Sequence, residues 1–451
     1  MGIIKQTYLF SIICILISSC TAGKQAVPKK PNIIFIISDD QAYSDYRFMG
    51  HSFIETPHID RLAAQSLSFT RGYVAVPLCS PSLASIITGL YAFQHGITGN
   101  DPAVEYEGKK NPAKAADGTF PPNSYPVQRD LAYQKLAANF YQNKLITQTL
   151  AENGYRSFQS GKWWIGSAED GGFDKGMTHG DYTRGGRHGD EGLKIAREGL
   201  DPVFDFMAES DSLDQPFFIW YAPFLPHTPH NPPKALEEKY LKVAPSPFVA
   251  RYWAMVEWFD QTTGALLDHL KEKGWEENTI IVYTCDNGWI QDTDAGAGER
   301  MFKYPGIITP KLDTQHVVSN VDIVPTIHQL LGLEKGNLPG IDVLNESELN
   351  NRSTVFSESY DHDIRNIEVP TETLLYQIAV EKQWKLIIPN KDMVKKAATS
   401  RAENIAGYYF NDIQLFNLAE DPLESTNVAV QYPEEVERLT EKINACRQLK
   451  N

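Results

Sequence analysis

Three short apolar runs constrain the fold of this chain more than any other feature. They cover 32–38, 216–221 and 279–285, and nearly every position in them is apolar. Such runs are typical of strands in a parallel sheet that is buried on both faces. Helical patterns lie between them. The alternation therefore predicts an α/β fold, with a mainly parallel central sheet sandwiched by helices.

The helix boundaries are marked by proline at the start and glycine at the end. Four helices are predicted, of which the first has the proline start and the second and third have the glycine end. The first begins at Thr56-Pro57, and the second runs from Leu145 to Asn153 before Gly154. The third runs from Tyr252 to Lys273 before Gly274, and the fourth runs from Val321 to Leu331. Two long stretches interrupt this rhythm, namely 101–130 and the glycine-rich 166–192, which carries Arg184, Arg187 and His188. Long excursions of this kind are usually functional or disordered.

The C-terminal part of the chain has a different pattern. Strand-like runs cover Leu374 to Val380 and Trp384 to Ile388, and a final helical pattern covers Glu434 to Arg447. A chain of 451 residues is too long for one compact core. We therefore expect a large catalytic α/β domain at 31–345 and a smaller C-terminal α+β subdomain at 346–451.

The N-terminus has the pattern of an export signal. Lys5 precedes the apolar stretch Tyr8 to Ile17, and small residues then lead to Cys20. This pattern predicts a lipoprotein-type signal peptide at 1–19, lipidation of Cys20 and a flexible tether at 20–30. The expected location is that of an exported bacterial lipoprotein, anchored in a membrane through Cys20 and facing the periplasm or the cell surface. The alternative is ordinary signal cleavage, with Cys20 incidental.

Charge and cysteine content exclude several classes of protein. The formal net charge is −15, which argues against nucleic-acid binding. An anionic substrate would have to be met by a local cationic pocket. Beyond Cys14 and Cys20, the chain has Cys79, Cys285 and Cys446, which form neither a disulfide framework nor a zinc motif.

Acidic pairs follow two of the apolar runs directly. Asp39 and Asp40 follow the first run, and Asp286 and Asn287 follow the third. Ligands of open parallel sheets bind beyond the carboxyl ends of the strands, and grouped carboxylates repel unless a cation lies between them. Oxygen donors suit Ca²⁺ ahead of Mg²⁺, at roughly 2.3–2.6 Å. The alternative for each pair alone is a turn or a helix cap.

The segment from Cys79 to Gly89 is the most informative for function. Pro81 fits the first position of a helix and Gly89 fits its end, so Cys79 is expected just ahead of a helix N-terminus. Backbone N–H groups there favour an anion or a thiolate. The alternative is a buried cysteine ahead of an ordinary core helix.

The same segment resembles the type I sulfatases, which are formylglycine-dependent enzymes of the alkaline-phosphatase-like superfamily. Their signature is Cys-x-Pro-Ser-Arg-x-x-x-Leu-Thr-Gly. The segment from Thr56 to Ala63 is similar to the family's Thr-Pro-Asn-Leu-Asp-Arg-Leu-Ala. The segment from Leu415 to Leu418, with Asp421-Pro422 and Glu424, resembles its C-terminal motif. The resemblance covers most of the chain after residue 31, and it points to a bacterial polysaccharide sulfatase.

The resemblance implies a mechanism. A maturation enzyme would oxidise Cys79 to formylglycine (3-oxoalanine), whose hydrate attacks sulfur. One calcium ion would be held by Asp39, Asp40, Asp286, Asn287 and the modified Cys79. Lys162 would bind the sulfate, and His227 would protonate the leaving alcohol. In the sequence, Arg300 falls near the position where the family has a lysine that binds sulfate. The expected function is hydrolysis of sulfate esters in a sulfated oligo- or polysaccharide.

Three positions depart from the family pattern. Leu83 stands where the family has arginine, Trp164 where it has histidine, and Arg300 or Lys303 where it has lysine. Two other functions therefore stay open. One is a phosphate or phosphonate ester hydrolase of the same superfamily, and the other is a non-catalytic binder of sulfated glycans. Trp163, Trp164 and Tyr182 are candidates for stacking against sugars or for core packing.

Overall fold

The computed structural model describes residues 29–107, 112–184, 190–288, 300–303, 310–400 and 409–449. Several sequence predictions fall outside these ranges, namely the signal peptide, Cys20, most of the tether, Arg187 and His188. The side chains of Tyr182, Arg300 and Lys303 also lie outside the description. No helix in the described part of the chain has both the length and the apolar character needed to cross a membrane.

The described residues form sixteen strands, twelve α-helices and several short 3-10 helices. The strands are β1 (Asn32–Ser38), β2 (Leu67–Phe69), β3 (Gly72–Tyr73), β4 (Asp101–Pro102), β5 (Arg156–Gly161), β6 (Lys175–Gly176), β7 (Phe217–Ala222), β8 (Thr279–Cys285), β9 (Arg300–Lys303), β10 (Lys311–Asp313), β11 (Val318–Ser319), β12 (Thr354–Tyr360), β13 (Asp363–Ile364), β14 (Leu374–Glu381), β15 (Trp384–Pro389) and β16 (Gln414–Asn417). The α-helices are α1 (Pro57–Ala64), α2 (Cys79–Thr88), α3 (Ala92–His95), α4 (Tyr125–Phe140), α5 (Ile146–Glu152), α6 (Asp201–Ser212), α7 (Lys234–Tyr240), α8 (Pro247–Glu272), α9 (Ile323–Leu330), α10 (Glu346–Asn351), α11 (Lys391–Ser400) and α12 (Pro433–Cys446). The 3-10 helices are Arg47–Met49, Tyr182–Arg184, Glu191–Lys194, Glu276–Asn278, Asn320–Asp322 and Pro370–Thr373.

An eight-stranded sheet forms the centre of the molecule, in the order β10-β2-β9-β8-β1-β7-β5-β6. Strand β1 pairs in parallel with both β7 and β8, and β5 pairs in parallel with β7. Strand β9 is antiparallel to its neighbours β2 and β8. The carboxyl ends of β1, β5, β7 and β8 therefore meet at one edge of the sheet.

Helices cover both faces of this sheet, because β1 buries alternate side chains on opposite sides. Ile33, Phe35 and Ile37 lie in one core together with residues of α2, α5 and α9. Ile34 and Ile36 lie in a second core with residues of α1, α6 and α8. The predicted parallel sheet sandwiched by helices is confirmed.

A smaller antiparallel sheet, in the order β12-β14-β15-β16, lies in the C-terminal part of the chain. Its core contains Trp384, Leu386 and Leu415 together with Leu439 and Ile443 of α12. The expected C-terminal α+β architecture is confirmed, while the boundary at residue 345 stays a prediction. The described cysteines, Cys79, Cys285 and Cys446, are free and buried.

The observed helices differ from the predicted ones mainly at their starts. Helix α8 begins at Pro247 rather than Tyr252, because Ser246 caps it by accepting a hydrogen bond from the Val249 amide at 3.2 Å. The predicted helix from Val321 begins as a 3-10 turn and becomes α-helical at Ile323.

Candidate active site

Backbone hydrogen bonds continue the pairing past the strand ends and bring polar residues together. The Asp39 amide donates to Leu225 O at 3.0 Å, and the Asp286 amide donates to Ser38 O at 3.0 Å. The Lys162 amide donates to Ala222 O at 2.6 Å. Asp39, Lys162 and Asp286 therefore lie together at one edge of the sheet, although each is more than 120 positions from the next in the sequence.

Gly161 makes the approach of Lys162 possible. Its φ is +82°, and a Cβ atom there would lie 1.9 Å from Ala222 O. Any other residue would have to push the strand ends apart. The glycine thus places the lysine directly beyond the junction of β5 and β7.

Lys162 is a buried cation between two carboxylates. Its Nζ donates to Asp39 Oδ1 at 2.5 Å and to Asp286 Oδ2 at 2.8 Å, and the side chain is 1% exposed. The ammonium also lies 4.5 Å from the centroid of the Trp164 ring and 5.7 Å from that of Phe224. This arrangement holds a permanent positive charge at the sheet edge.

Asp40 occupies a left-handed backbone conformation with φ of +58°, which is uncommon for a residue with a Cβ. Its amide donates to Asp286 Oδ1 at 3.3 Å, and its Oδ1 accepts from Asn287 Nδ2 at 2.5 Å. Its Oδ2 lies 3.4 Å from His227 Nε2. The unusual backbone thus joins both predicted pairs into one cluster.

The cluster carries three buried carboxylates against one ammonium. Burial raises the pKa of Asp39 well above its usual value, the Asp286 charge raises it further, and Lys162 only partly opposes this. Burial also raises the pKa of Asp286. The surplus of negative charge is what a divalent cation would neutralise.

The donor set fits such a cation. Asp39 Oδ2 and Asn287 Oδ1 are buried without a hydrogen-bond partner. Candidate ligand atoms of Asp39, Asp40, Cys79 and His227 all lie within 4.8 Å of one another. Buried oxygen atoms are rarely left unpaired, so these residues match a hard cation. His227, whose predicted role is proton donor, also lies in this group, and the predicted ligand Asp286 accepts hydrogen bonds from Lys162 and the Asp40 amide.

Cys79 lies next to this cluster at the start of α2. The helix begins at Cys79 itself, with Leu78 as the N-cap, so the prediction of a cysteine just ahead of the helix is wrong by one residue. The Ser82 amide donates to Leu78 O at 2.9 Å, which starts the helical turn before Pro81. Gly89 ends the helix with φ of +72°, as predicted.

The thiol of Cys79 is 6% exposed and packs with Trp164 and Phe224. Burial raises its pKa well above the ordinary value, Lys162 opposes the shift and Asp286 adds to it. The expectation of a stabilised thiolate is therefore wrong, because burial and the nearby carboxylates outweigh the helix terminus. An unmodified Cys79 is a weak nucleophile here.

His227 is also held in its uncharged form. Burial lowers its pKa to about 4, the Lys162 charge contributes, and Asp40 only partly compensates. Its Nδ1 donates to Thr228 O at 2.6 Å, which leaves Nε2 facing Asp40. The predicted proton donor is therefore neutral near pH 7 in the protein alone, and it can act as an acid only after a bound anion raises its pKa.

The departures from the family pattern have different surroundings. Leu83 is fully buried in the core beneath α2. Trp163 packs against Phe173 and Trp220, with ring centroids 5.3 and 5.4 Å away, so its core-packing alternative is confirmed. Trp164 instead borders Cys79. The side chains of Arg300 and Lys303 lie outside the described part of the structure.

Sequence reasoning missed Tyr252, which buttresses the loop that follows β1. Its hydroxyl donates to Asp45 Oδ2 at 2.5 Å and to Asp40 O at 3.2 Å. In the sequence Tyr252 is one aromatic residue of an amphipathic helix, and nothing distinguishes it from a core residue. Only the packing of α8 shows that it supports the acidic cluster.

The fold and this cluster define a hydrolase-type site at the carboxyl edge of a parallel sheet. The sulfatase family profile matches residues 31–333. The chain belongs to the sulfatase family, within the alkaline-phosphatase-like superfamily. The predicted family is confirmed, and sulfatases are sulfuric ester hydrolases.

Three characterised relatives show how far the similarity extends. Arylsulfatase A of Homo sapiens is 25% identical over 77% of this chain and 74% of its own length. N-acetylgalactosamine-6-sulfatase of Canis lupus familiaris is 26% identical over 61% of this chain, which spans 53% of that relative. An ulvan-active sulfatase of Formosa agariphila is 25% identical over 73% of this chain and 66% of its own length.

The fold is shared with solved structures. The crystal structure of Ps i-CgsB in complex with k-i-k-neocarrahexaose superposes with a TM-score of 0.70. The sequence identity is 21%, and the match covers 94% of each chain. At this identity the likeness supports the fold.

Proposed function

We propose that this protein hydrolyses sulfate esters of a sulfated oligo- or polysaccharide, with modified Cys79 as the nucleophile and one calcium ion. The observation that carries the proposal is the convergence of Lys162, three carboxylates and Cys79 at one buried edge of the sheet. Sulfuryl transfer needs positive charge around the sulfuryl oxygens and a nucleophile beside them. This cluster contains the residues for both.

Each residue has a task that follows from its surroundings. Asp39, Asp40, Asp286 and Asn287 would hold the calcium ion, which supplies positive charge to offset the sulfuryl oxygens. Lys162, which pairs with Asp39 and Asp286, would attract the sulfate group once part of the carboxylate charge is neutralised. Trp164 and Phe224 flank the ammonium and exclude water, which strengthens its attraction.

His227 would deliver the proton to the leaving alcohol. A sulfate ester brings negative charge close to the imidazole, and this raises a pKa that burial now keeps at about 4. Nδ1 stays bonded to Thr228 O, so Nε2 is the nitrogen that takes up and passes on the proton.

The aldehyde form of Cys79 is supported by the state of the thiol. Burial keeps the unmodified thiol protonated, so it would react poorly as it stands. A maturation enzyme is therefore a required partner in this proposal. Leu83, which stands where the family has arginine, leaves the rest of the segment from Cys79 to Gly89 intact.

The substrate class is supported by the relatives. One is named for a sulfated amino sugar, and another is active on ulvan. A structural neighbour was solved with a neocarrahexaose. These three names support a sulfated carbohydrate as the substrate class.

The test is a pair of measurements on purified protein. We expect release of sulfate from aryl sulfate and sulfated sugars, with phosphate and phosphonate esters turned over at least about a hundredfold more slowly. We also expect the peptide that contains Cys79 to have the mass of formylglycine. Preference for phosphorus esters would support the alternative hydrolase. A pure thiol without turnover would support the non-catalytic binder.

We further propose that the protein is exported and anchored through Cys20, as its N-terminal sequence pattern supports. We expect Cys20→Ser to shift the protein from the membrane fraction to the soluble fraction, because the acyl chains are lost. Cys14→Ser is the matched control, since Cys14 would leave with the signal. Membrane fractionation of Cys20→Ser equal to that of the native chain would contradict the anchor.

A further inference from the structure

A cavity lies against the loop that follows β1, and nothing in the mechanism uses it. Its volume is about 630 Å³, and it lies between the loop after β1 and the start of α8. Ser44, His51, Ser52, Phe53, Val243 and Trp253 are among the residues that line it. Hydroxyl, imidazole and aromatic groups therefore face one open groove.

The groove has a rigid aromatic wall. The rings of Phe53 and Trp253 are stacked at 5.4 Å with an angle of 14° between their planes, and Phe53 is 47% exposed. The ring of His51 meets that of Trp253 edge-on at 5.1 Å. Flat aromatic faces beside polar groups suit a sugar ring, which has an apolar C–H face and a hydroxylated rim.

His51 presents a fixed hydrogen-bond donor to this groove. Its Nδ1 accepts from the backbone amides of Phe53 and Ile54 at 3.2 and 2.8 Å. The proton of the neutral ring must therefore be on Nε2, which is available to donate to a hydroxyl group.

The groove and the acidic cluster both contact the loop after β1 and the start of α8. Helix α8 leads into β8, which is parallel to β1 and β7, so its N-terminal end lies at the edge where those strands end. Tyr252 bonds Asp40 O and Asp45 on one side of this helix end, and its neighbour Trp253 forms the wall of the groove. Adjacent residues of α8 therefore contact the loop that carries Asp40 and the groove.

We propose that this groove binds a sugar ring of the same glycan chain, beyond the sulfated residue that is hydrolysed. The inference rests on the proposed function, and it makes the protein selective for oligosaccharides over single sugars. Stacking on the outer face of the Phe53–Trp253 pair would hold the neighbouring ring, and His51 Nε2 with the serine hydroxyls would bind its hydroxyl groups. The loop that carries Asp40 also carries Ser44 of the groove, and this adjacency favours a sugar of the same chain over an unrelated ligand.

The test compares substrates of different length. Hexasaccharides and disaccharides of ulvan, κ-carrageenan and chondroitin 6-sulfate are assayed beside a small aryl sulfate. For each glycan that is desulfated, we expect KM to be about tenfold lower for the hexasaccharide. Trp253→Ala and Phe53→Ala should each remove that advantage and leave aryl sulfate turnover unchanged. Phe248→Ala is the matched control, because Phe248 is 73% exposed on the same helix outside the groove.

Four outcomes are decisive. Loss of the length advantage in the groove variants alone supports the proposal. A KM independent of length, or an advantage that persists in both groove variants, overturns it while the proposed function stands. Absence of turnover on every sulfate ester overturns the proposed function as well. A dimer in solution that Trp253→Ala dissociates would assign the groove to a second copy of the chain and overturn the sugar site.

Discussion

We expect replacement of Cys79 by alanine to abolish sulfate-ester turnover, by on the order of a thousandfold or more, because Cys79 is the proposed nucleophile. The variant should fold, since Cys79 is a small buried residue of α2 that accepts alanine without overpacking. Initial rates on an aryl sulfate, together with the unfolding temperature, measure both expectations.

Cys446→Ala is the matched control for this experiment. Cys446 is a free, buried cysteine at the end of α12, and its burial is similar to that of Cys79. Its replacement should leave turnover within about twofold of the native rate. Turnover by pure Cys79→Ala at the native rate would remove Cys79 from the mechanism and leave only the fold.

If calcium is the bound ion, we expect its removal to lower the unfolding temperature by roughly 3 °C when the ion was present at a hundredfold excess over its dissociation constant. The physical reason is the surplus of buried negative charge around Lys162, which the ion neutralises. Asp39→Asn should raise the dissociation constant of calcium at least about tenfold, because it removes a charge and keeps an oxygen. Thermal unfolding with and without chelator, and calorimetric titration with Ca²⁺, measure these effects.

Asp260→Asn separates the metal effect from general destabilisation. Asp260 is a buried carboxylate of α8 that accepts hydrogen bonds from the His58 and Ile59 amides, at 3.1 and 2.8 Å, at the start of α1. Its replacement should lower stability and preserve the response to calcium. The cluster is not the metal site if the chelator leaves the unfolding temperature of the native protein unchanged. The same conclusion follows if Asp39→Asn binds calcium as tightly as the native protein does.

The acidic part of the site was predictable because its strands carry a strong signal. β1 and β8 are mostly apolar in sequence and buried throughout, so the acidic residues that follow them emerge at the end of a buried strand. A parallel arrangement then brings Asp39 and Asp286 together without knowledge of any other contact. Here local pattern and tertiary position agree.

Lys162 was accessible only through the family resemblance. Its strand β5 contains polar residues, among them Ser157 and Gln159, and therefore lacks the apolar run of a buried strand. The structure buries these side chains because the segment after the strand satisfies them. Asp174 accepts hydrogen bonds from Ser157, and Gln159 Oε1 accepts from the amides of Met177 and Thr178. Long-range hydrogen bonding of this kind leaves no periodic trace in a sequence.

The groove was equally hidden. Phe53 lies in a loop and Trp253 in an amphipathic helix, and their stacking depends on how α8 packs against the loop after β1. In the sequence both residues are ordinary apolar positions. The start of α2 was also not predictable from the sequence. It is set by a hydrogen bond to the backbone of Leu78 and not by Pro81.

The central place of β1 has a consequence for the order of events during synthesis. Ser38 of β1 and its partner Cys285 of β8 are 247 positions apart in the sequence. β1 must therefore wait for β8 to be synthesised before the two strands can pair. At roughly 5–20 residues per second that wait lasts on the order of 10–50 s. Cys79 is made early and becomes buried once the sheet closes. Any enzyme that modifies Cys79 must therefore act before this sheet closes, on a chain that has not yet folded.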